Sequence, residues 1–356
     1  VGLGRLTVPF IIQQGDTTMK RVFNFDILRG VAAYVQLALG MNLTGRDVHI
    51  DVPLSNIAVQ AFSTGNFVGP QLFPIVPVGK QAGNYYTITK NIWLRNPQST
   101  LRAPKTSPRR VEFDVSSDQY YAHNYALAGE NAFEVLAAAD DPIMLRARTT
   151  RKVVEDLMRD MEVRIANKVT SITNIGSGVS LTGANKWSDY VSSDPISDIT
   201  TGHAFIRNNT GVIANTLLID FDSYQTVRRH PVLLDMFKYT QGGLLNDAEL
   251  KEVFRVQNLL VPTGIRNAAL EGGTASIVNI WGNNALLAYV GPAGGMETVT
   301  FGLGFQWRDP QLPAPFVASV YNDPDPGKKT EITEVGYYQD EKIVASQLAY
   351  LVGSTL

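Results

Sequence analysis

The chain contains no cysteine. That excludes a disulfide framework, a thiol nucleophile and a zinc–thiolate site. No apolar run is long enough to span a bilayer. The best, Val31 to Met41, contains Gln36 and makes about three helical turns. Val1 to Ile12 has a short apolar run broken by Pro9 and no small-residue cleavage site, so it is not read as a signal peptide. Met19-Lys20-Arg21 reads like a second start, with the first 18 residues either an arm or a processed extension. Charge is also scarce: 18% of the 356 residues, below the usual quarter. With 44% hydrophobic residues, this describes a globular chain with apolar and neutral polar surface to spare for contacts with other chains. The length calls for two or three subdomains.

A more local absence is more informative. From Pro53 to Val111 there is no aspartate and no glutamate. The stretch holds seven cations: Lys80, Lys90, Arg95, Arg102, Lys105, Arg109 and Arg110. Taking that +7 from the net charge of −2 leaves −9 for the rest of the chain. A folded monomer usually intersperses its surface charges. Charges divided by segment point to a basic segment that meets acidic surface, in the same molecule or on a neighbouring copy. The alternative partner is a phosphate backbone. A dedicated nucleic-acid binder would be more basic than a chain of pI 6.1, so protein carboxylates are preferred.

Catalytic signatures are missing. His49, His123, His203 and His230 show no metal spacing, and there is no Walker loop, GxGxxG or GxSxG elbow. Asp220-Phe221-Asp222 at the end of a buried strand could hold a divalent metal for carbohydrate chemistry, or cap the next helix. Asp323 and Asp325 read as part of a rigid proline turn, and Asp141 as a helix cap. No nucleophile, base and oxyanion donors converge, so the chain is read as a non-enzyme with no cofactor and no metal.

Along the chain, Phe23 to Met41 has near-helical spacing. Residues 54–88 carry prolines every few positions, which predicts an extended path without helix or central strand. Tyr85–Ile88 and Val111–Val115 read as strands, the second continuing through Tyr120–Tyr125. The loop of about twenty residues between them is uncommon in a compact domain unless functional. It is read as a projecting basic hairpin. Asp141-Pro142 opens the clearest helix, with an apolar stripe at Val154, Met158, Met161, Ile165 and Val169. At 1.5 Å per residue it is roughly 40 Å long, a spine for a sheet. Residues 171–195 read as a connection. Then follow a helix over Ile196–Asn208 capped at Asp194-Pro195, a strand at Thr216–Asp220 and helical pieces interrupted at Pro231. A short helix at Asn246–Val253 leads to strands at Leu259–Val261, Ile277–Trp281, Ala285–Val290 and Thr300–Trp307. Phe316–Tyr321, Thr330–Tyr338 and a last strand at Lys342–Leu351 complete an α+β chain.

This order of parts resembles the major capsid proteins of tailed bacteriophages with the Hong Kong 97-type fold. The segment Leu54-Ser55-Asn56-Ile57-Ala58-Val59 followed by Gln71-Leu72-Phe73-Pro74-Ile75-Val76-Pro77-Val78-Gly79-Lys80-Gln81-Ala82-Gly83-Asn84-Tyr85-Tyr86 is similar to one recurring in a branch of that family. The resemblance implies a self-assembling shell of pentamers and hexamers around double-stranded DNA. It implies an N-terminal arm over 1–75 and an extended loop over 76–130. A peripheral domain takes 131–195 and 310–340 with the spine helix at 142–170, and an axial domain takes 196–309 and 341–356. Contacts between subunits are expected from Phe67, Phe73, Lys90, Trp93, Arg95, Arg102, Lys105, Arg109 and Arg110. Expected partners are other copies of the chain, portal and scaffolding proteins, a cement protein and packaged DNA, with no membrane. The location implied is the virion capsid, assembled in the host cytoplasm. Assembly is expected to be noncovalent. The alternatives are an encapsulin-like compartment shell and a metal-dependent carbohydrate-active enzyme using Asp220 and Asp222.

Overall fold

The spine helix forms where every local signal agrees. It runs Pro142–Val169, and Val154, Met158, Met161, Ile165 and Val169 are all buried. Glu155–Arg159 and Asp160–Arg164 pair at i,i+4 along it. The computed structural model describes residues 49–50, 53–58, 67–87, 100–108, 110, 116–139, 142–237, 245–270, 272–292, 295, 298–308, 316–325 and 327–356. The expected helix at Phe23–Met41, the strand at Val111–Val115 and the cap at Asp141 lie outside them.

Numbered in chain order, the strands are β1 (His49–Ile50), β2 (Ile75–Val78), β3 (Ala82–Thr87), β4 (Ser116–Tyr121), β5 (His123–Ala132), β6 (Gly178–Ser180), β7 (Thr216–Ile219), β8 (Asn258–Leu260), β9 (Ile265–Asn267), β10 (Ile277–Asn279), β11 (Asn284–Ala288), β12 (Gly302–Trp307), β13 (Val317–Asn322), β14 (Thr330–Ile343) and β15 (Ala349–Gly353). The first sheet has the order β1-β13-β14-β12-β2, with β5 also paired to β14. The second has the order β6-β15-β11-β7-β8. β3–β4 and β9–β10 are separate two-stranded ribbons.

Alternation along β14 decides which side of the first sheet is buried. Val335, Tyr337, Gln339 and Glu341 are buried. Through Arg164 Nη2, the spine helix donates to both the Tyr337 hydroxyl and Glu341 Oε1, at 3.0 Å each. Lys168 lies 3.6 Å from the other oxygen of Glu341, so this buried carboxylate meets two cations from the helix. The second sheet packs against the helix Pro195–Thr210, whose N-cap Asp194 accepts from the Ile196 and Ser197 amides. A single apolar core runs under both sheets.

Several sequence readings are corrected. The proline-rich stretch does contain helix: residues 53–58 are helical, and Gly69–Leu72 makes one turn with Pro70 in its first turn, where no amide is needed. Its strand β2 sits at a sheet edge, where Pro77 is tolerated. The chain over 171–195 is no passive connection, since β6 pairs β15 in parallel and Trp187 is fully buried with its indole N–H on Asp198 Oδ2 at 2.8 Å. The last strand is not Lys342–Leu351. β14 continues to Ile343, a 3-10 turn follows at Ser346–Leu348, and β15 ends the ladder. β12 pairs β14 and β2, so Gly302–Trp307 lies in the first sheet. The helix Phe133–Ala138 was not anticipated.

Candidate assembly surface

The basic hairpin has a base that can be built residue by residue. β3 and β4 pair antiparallel from Thr87 opposite Ser116 to Ala82 opposite Tyr121. Tyr85 and Tyr120 turn inward onto Phe305 of β12. Tyr120 stacks on it at 4.6 Å between ring centroids, and Tyr85 lies tilted at 5.2 Å. With Val76, Val78 and Leu303 these rings form a small apolar cluster distinct from the main core. Gly83 allows the close approach, because a Cβ there would meet the Tyr120 hydroxyl at 2.7 Å. The Tyr85 hydroxyl donates to Asp118 Oδ2 at 2.8 Å. Burial pushes the Tyr85 phenol up, and the same hydrogen bond holds Asp118 below the usual carboxylate range. The Tyr121 amide donates to Asp340 Oδ2 at 3.0 Å, tying the hairpin to β14.

Beyond this base, residues 100–108 are exposed. Arg102 Nε donates to the Thr106 carbonyl and Thr106 Oγ1 to the Ala103 carbonyl, closing a turn that carries Lys105 at φ +66°. Leu101 at its edge is 93% exposed. Arg102, Lys105 and Arg110 therefore stand in solvent, while Lys90, Trp93, Arg95 and Arg109 lie outside the described residues. Phe73 is corrected. It is fully buried and packs edge-on against Phe301 at 5.7 Å, and a Cβ at Gly302 would meet its ring at 2.4 Å. Phe67 is half-buried against the same core. Both anchor the chain to itself, because an apolar segment beside its own core is covered before any partner arrives.

Sequence reasoning missed a joint at Glu162. This buried carboxylate accepts from the Val68 amide at 3.2 Å, the Gly69 amide at 2.7 Å and the Trp281 indole at 2.7 Å. It ties the spine helix to the incoming segment and to the strand region before β11. Burial pushes its carboxyl up, against the pull of those three donors. The signal was present: Glu162 falls four residues after Met158 and three before Ile165, on the apolar stripe.

Asp220 caps the helix Phe221–Val227 by accepting from the Asp222 amide at 3.2 Å, and Asp222 Oδ2 accepts from Asn279 Nδ2 at 2.9 Å. Among the described residues no group of three or more His, Asp or Glu is placed to hold a metal. A cleft of about 780 Å³ is lined by Gln71, Asn215, Gln257, Asn258, Tyr289 and neighbouring prolines, with no carboxylate or cation. Burial raises the Asp220 carboxyl to about 6. Its folded value lies above the unfolded one, so the folded state binds the extra proton and stability falls as pH rises from about 4 to 6. Asp220→Asn, an equally good cap, is expected to flatten that slope in melting curves taken between those pH values.

No family model matches the chain. It is 28% identical over 248 residues to a major capsid protein of Burkholderia phage BcepMu, covering 68% of this chain and 76% of the relative. To a major capsid protein of Pseudomonas phage JBD67 it is 27% identical over 267 residues, covering 73% and 84%. Among solved structures, a phage-related protein from Bordetella bronchiseptica RB50 superimposes with a TM-score of 0.69 at 24% identity, over 87% of this chain and 98% of that one. No helix of the described residues is long and apolar enough to cross a membrane. Two sheets, a long spine helix and a hairpin seated on one of the sheets give the chain the Hong Kong 97-type capsid fold, and over about 250 residues its sequence is similar to the major capsid proteins of those two phages.

Proposed function

We propose that the chain is the structural subunit of a virion shell, with copies arranged as pentamers and hexamers around packaged double-stranded DNA. One observation carries this reading: the hairpin has a tightly built base and an exposed end bearing Leu101, Arg102 and Lys105. An arm of that kind gains stability only on another surface. The acid-free stretch makes its complement acidic, and the rest of the chain carries −9. Contacts with portal, scaffolding and cement proteins belong to the same reading, as does assembly in the host cytoplasm before the shell becomes part of the virion. The role is structural, not catalytic.

The double variant Arg109→Glu, Arg110→Glu is expected to fold with unchanged melting behaviour and to assemble poorly. Each cation set against a carboxylate is worth on the order of 1 kcal/mol when exposed, and reversal replaces attraction with repulsion. Particle yield, read by negative-stain microscopy, should fall at least about tenfold. Normal yield would remove the electrostatic part of the reading.

A further inference from the structure

The turn that leads into the helix Pro195–Thr210 is held from the side by a histidine. His230 has no exposed surface. Its carbonyl accepts from the Leu233 and Leu234 amides, at 3.1 and 3.0 Å, and so starts the helix Pro231–Phe237. Its ring reaches across to the turn, with Nε2 3.0 Å from Ser193 Oγ. Tyr190 of the same turn lies edge-on to the ring at 5.4 Å between centroids. Among the described residues, the other hydrogen bonds of Asp189–Ser193 run within the turn or back to Lys186. The histidine is therefore the turn's hydrogen-bonded link to the next helix.

The hydrogen bonds fix the tautomer. Ser193 Oγ has one proton and donates it to the Asp189 carbonyl at 2.6 Å. The oxygen then accepts from the histidine, so Nε2 carries the ring hydrogen and Nδ1 is a bare lone pair. That Nδ1 is buried and has no partner among the described residues. A neutral ring tolerates this position. A protonated ring sets an N–H and a positive charge where no acceptor stands. The charged groups nearby are engaged elsewhere. Asp194, whose field reaches the ring, accepts from the Ile196 and Ser197 amides. Asp189 turns its carboxylate to the Val191 and Ser192 amides. On the histidine's own side, Arg228 Nε donates to the Leu245 carbonyl, and Arg229 and Asp235 are the other charged residues of that stretch. Burial holds the imidazole below its ordinary value, against the pull of Asp194.

We infer that His230 and Ser193 form an acid-sensitive latch: the neutral ring holds the 189–194 turn to the helix Pro231–Phe237, and proton uptake releases it. The sign follows from the linkage. The closed turn binds the proton less readily than the open one, so the latch is at full strength above the ordinary imidazole value of about 6.5 and weakens as pH falls below it. One proton makes the opening equilibrium up to about tenfold more favourable per pH unit. The inference stands apart from the shell reading and is tested on the full chain before assembly.

Hydrogen exchange of the 189–194 amides, followed by mass spectrometry and corrected for the intrinsic rate, reads the latch directly. Between about pH 7.5 and about pH 5.5 their protection is expected to fall several-fold, up to about tenfold. His230→Gln keeps an N–H donor for Ser193 and does not titrate, so its protection should be the same at both pH values. Unchanged protection in the unaltered chain, or an equal fall in His230→Gln, overturns the inference. Should His230→Gln fail to fold, Ser193→Ala decides. It removes the oxygen on which the latch closes, and the same amides should already lose several-fold protection at the higher pH. Protection equal to that of the unaltered chain there also overturns the inference.

Discussion

Phe305→Ala should destabilise the subunit by about 3–5 kcal/mol, the usual cost of emptying a fully buried phenylalanine site. The side chain has no exposed surface and is the centre of the three-ring cluster. Its removal deletes apolar burial and both aromatic contacts, the latter worth roughly 0.5–1.5 kcal/mol each beyond area. Refilling is blocked, because the neighbours are held elsewhere: Tyr85 by Asp118, and Val76 and Val78 by strand pairing to β12. Urea denaturation of the unassembled subunit measures the loss. Hydrogen exchange locates it, with amides of β3 and β4 expected to lose protection before those of the spine helix. Phe305→Leu keeps most of the volume and should cost much less. If alanine costs under about 1 kcal/mol, the cluster does not fix the hairpin.

Glu162→Ala is expected to cost about 3 kcal/mol or more, for a different reason. The carboxylate is the acceptor for three donors, two of them backbone amides of the segment that enters the helical turn Gly69–Leu72. Removing it leaves buried N–H groups without a partner, each carrying about 1–3 kcal/mol of desolvation. Part of the loss is offset because burial already disfavours the charged form. Glu162→Gln keeps one oxygen acceptor and removes the charge, so it should lie well above Glu162→Ala in stability. Equal melting temperatures for the two variants would show that the acceptor geometry does not matter.

How much was legible depended on how local the deciding interaction is. The spine helix, the capping at Asp194 and the short helix ending at Val253 follow from residues within four positions of one another, and they stand where the sequence placed them. The base of the hairpin was legible in part, through Tyr85–Ile88 and Tyr120–Tyr125, which overlap β3 and β4, while Val111–Val115 lies outside the described residues. The run Gln339-Asp340-Glu341-Lys342 was not legible. Gln339, Asp340 and Glu341 were left between two strands, yet all three are buried inside a continuous β14. Their partners, Arg164, Lys168 and the Tyr121 amide, lie more than a hundred residues away in sequence. Phe73 failed as a proposed contact for the same reason: an apolar anchor near a projecting arm looks available until the Phe301 ring that covers it is placed. Trp187 and β6 sit in a Ser/Gly-rich stretch whose composition conceals a strand paired in parallel with the C-terminal β15.

The three-ring base of the hairpin has a mechanical meaning. Twenty-eight residues, 88–115, connect β3 to β4, so a chain of that length folded back on itself could reach at most about 45 Å at roughly 3.3 Å per residue. With that length as a lever, a tilt of about 10° at Phe305 displaces the far end by about 8 Å, more than one residue of strand register. The close packing of Tyr85 and Tyr120 on one phenylalanine therefore sets an angular tolerance. On the proposed shell reading, a tight pivot would make one register on a neighbour reproducible from copy to copy. A looser one would let identical subunits meet at many spacings, which is how a growing lattice loses closure.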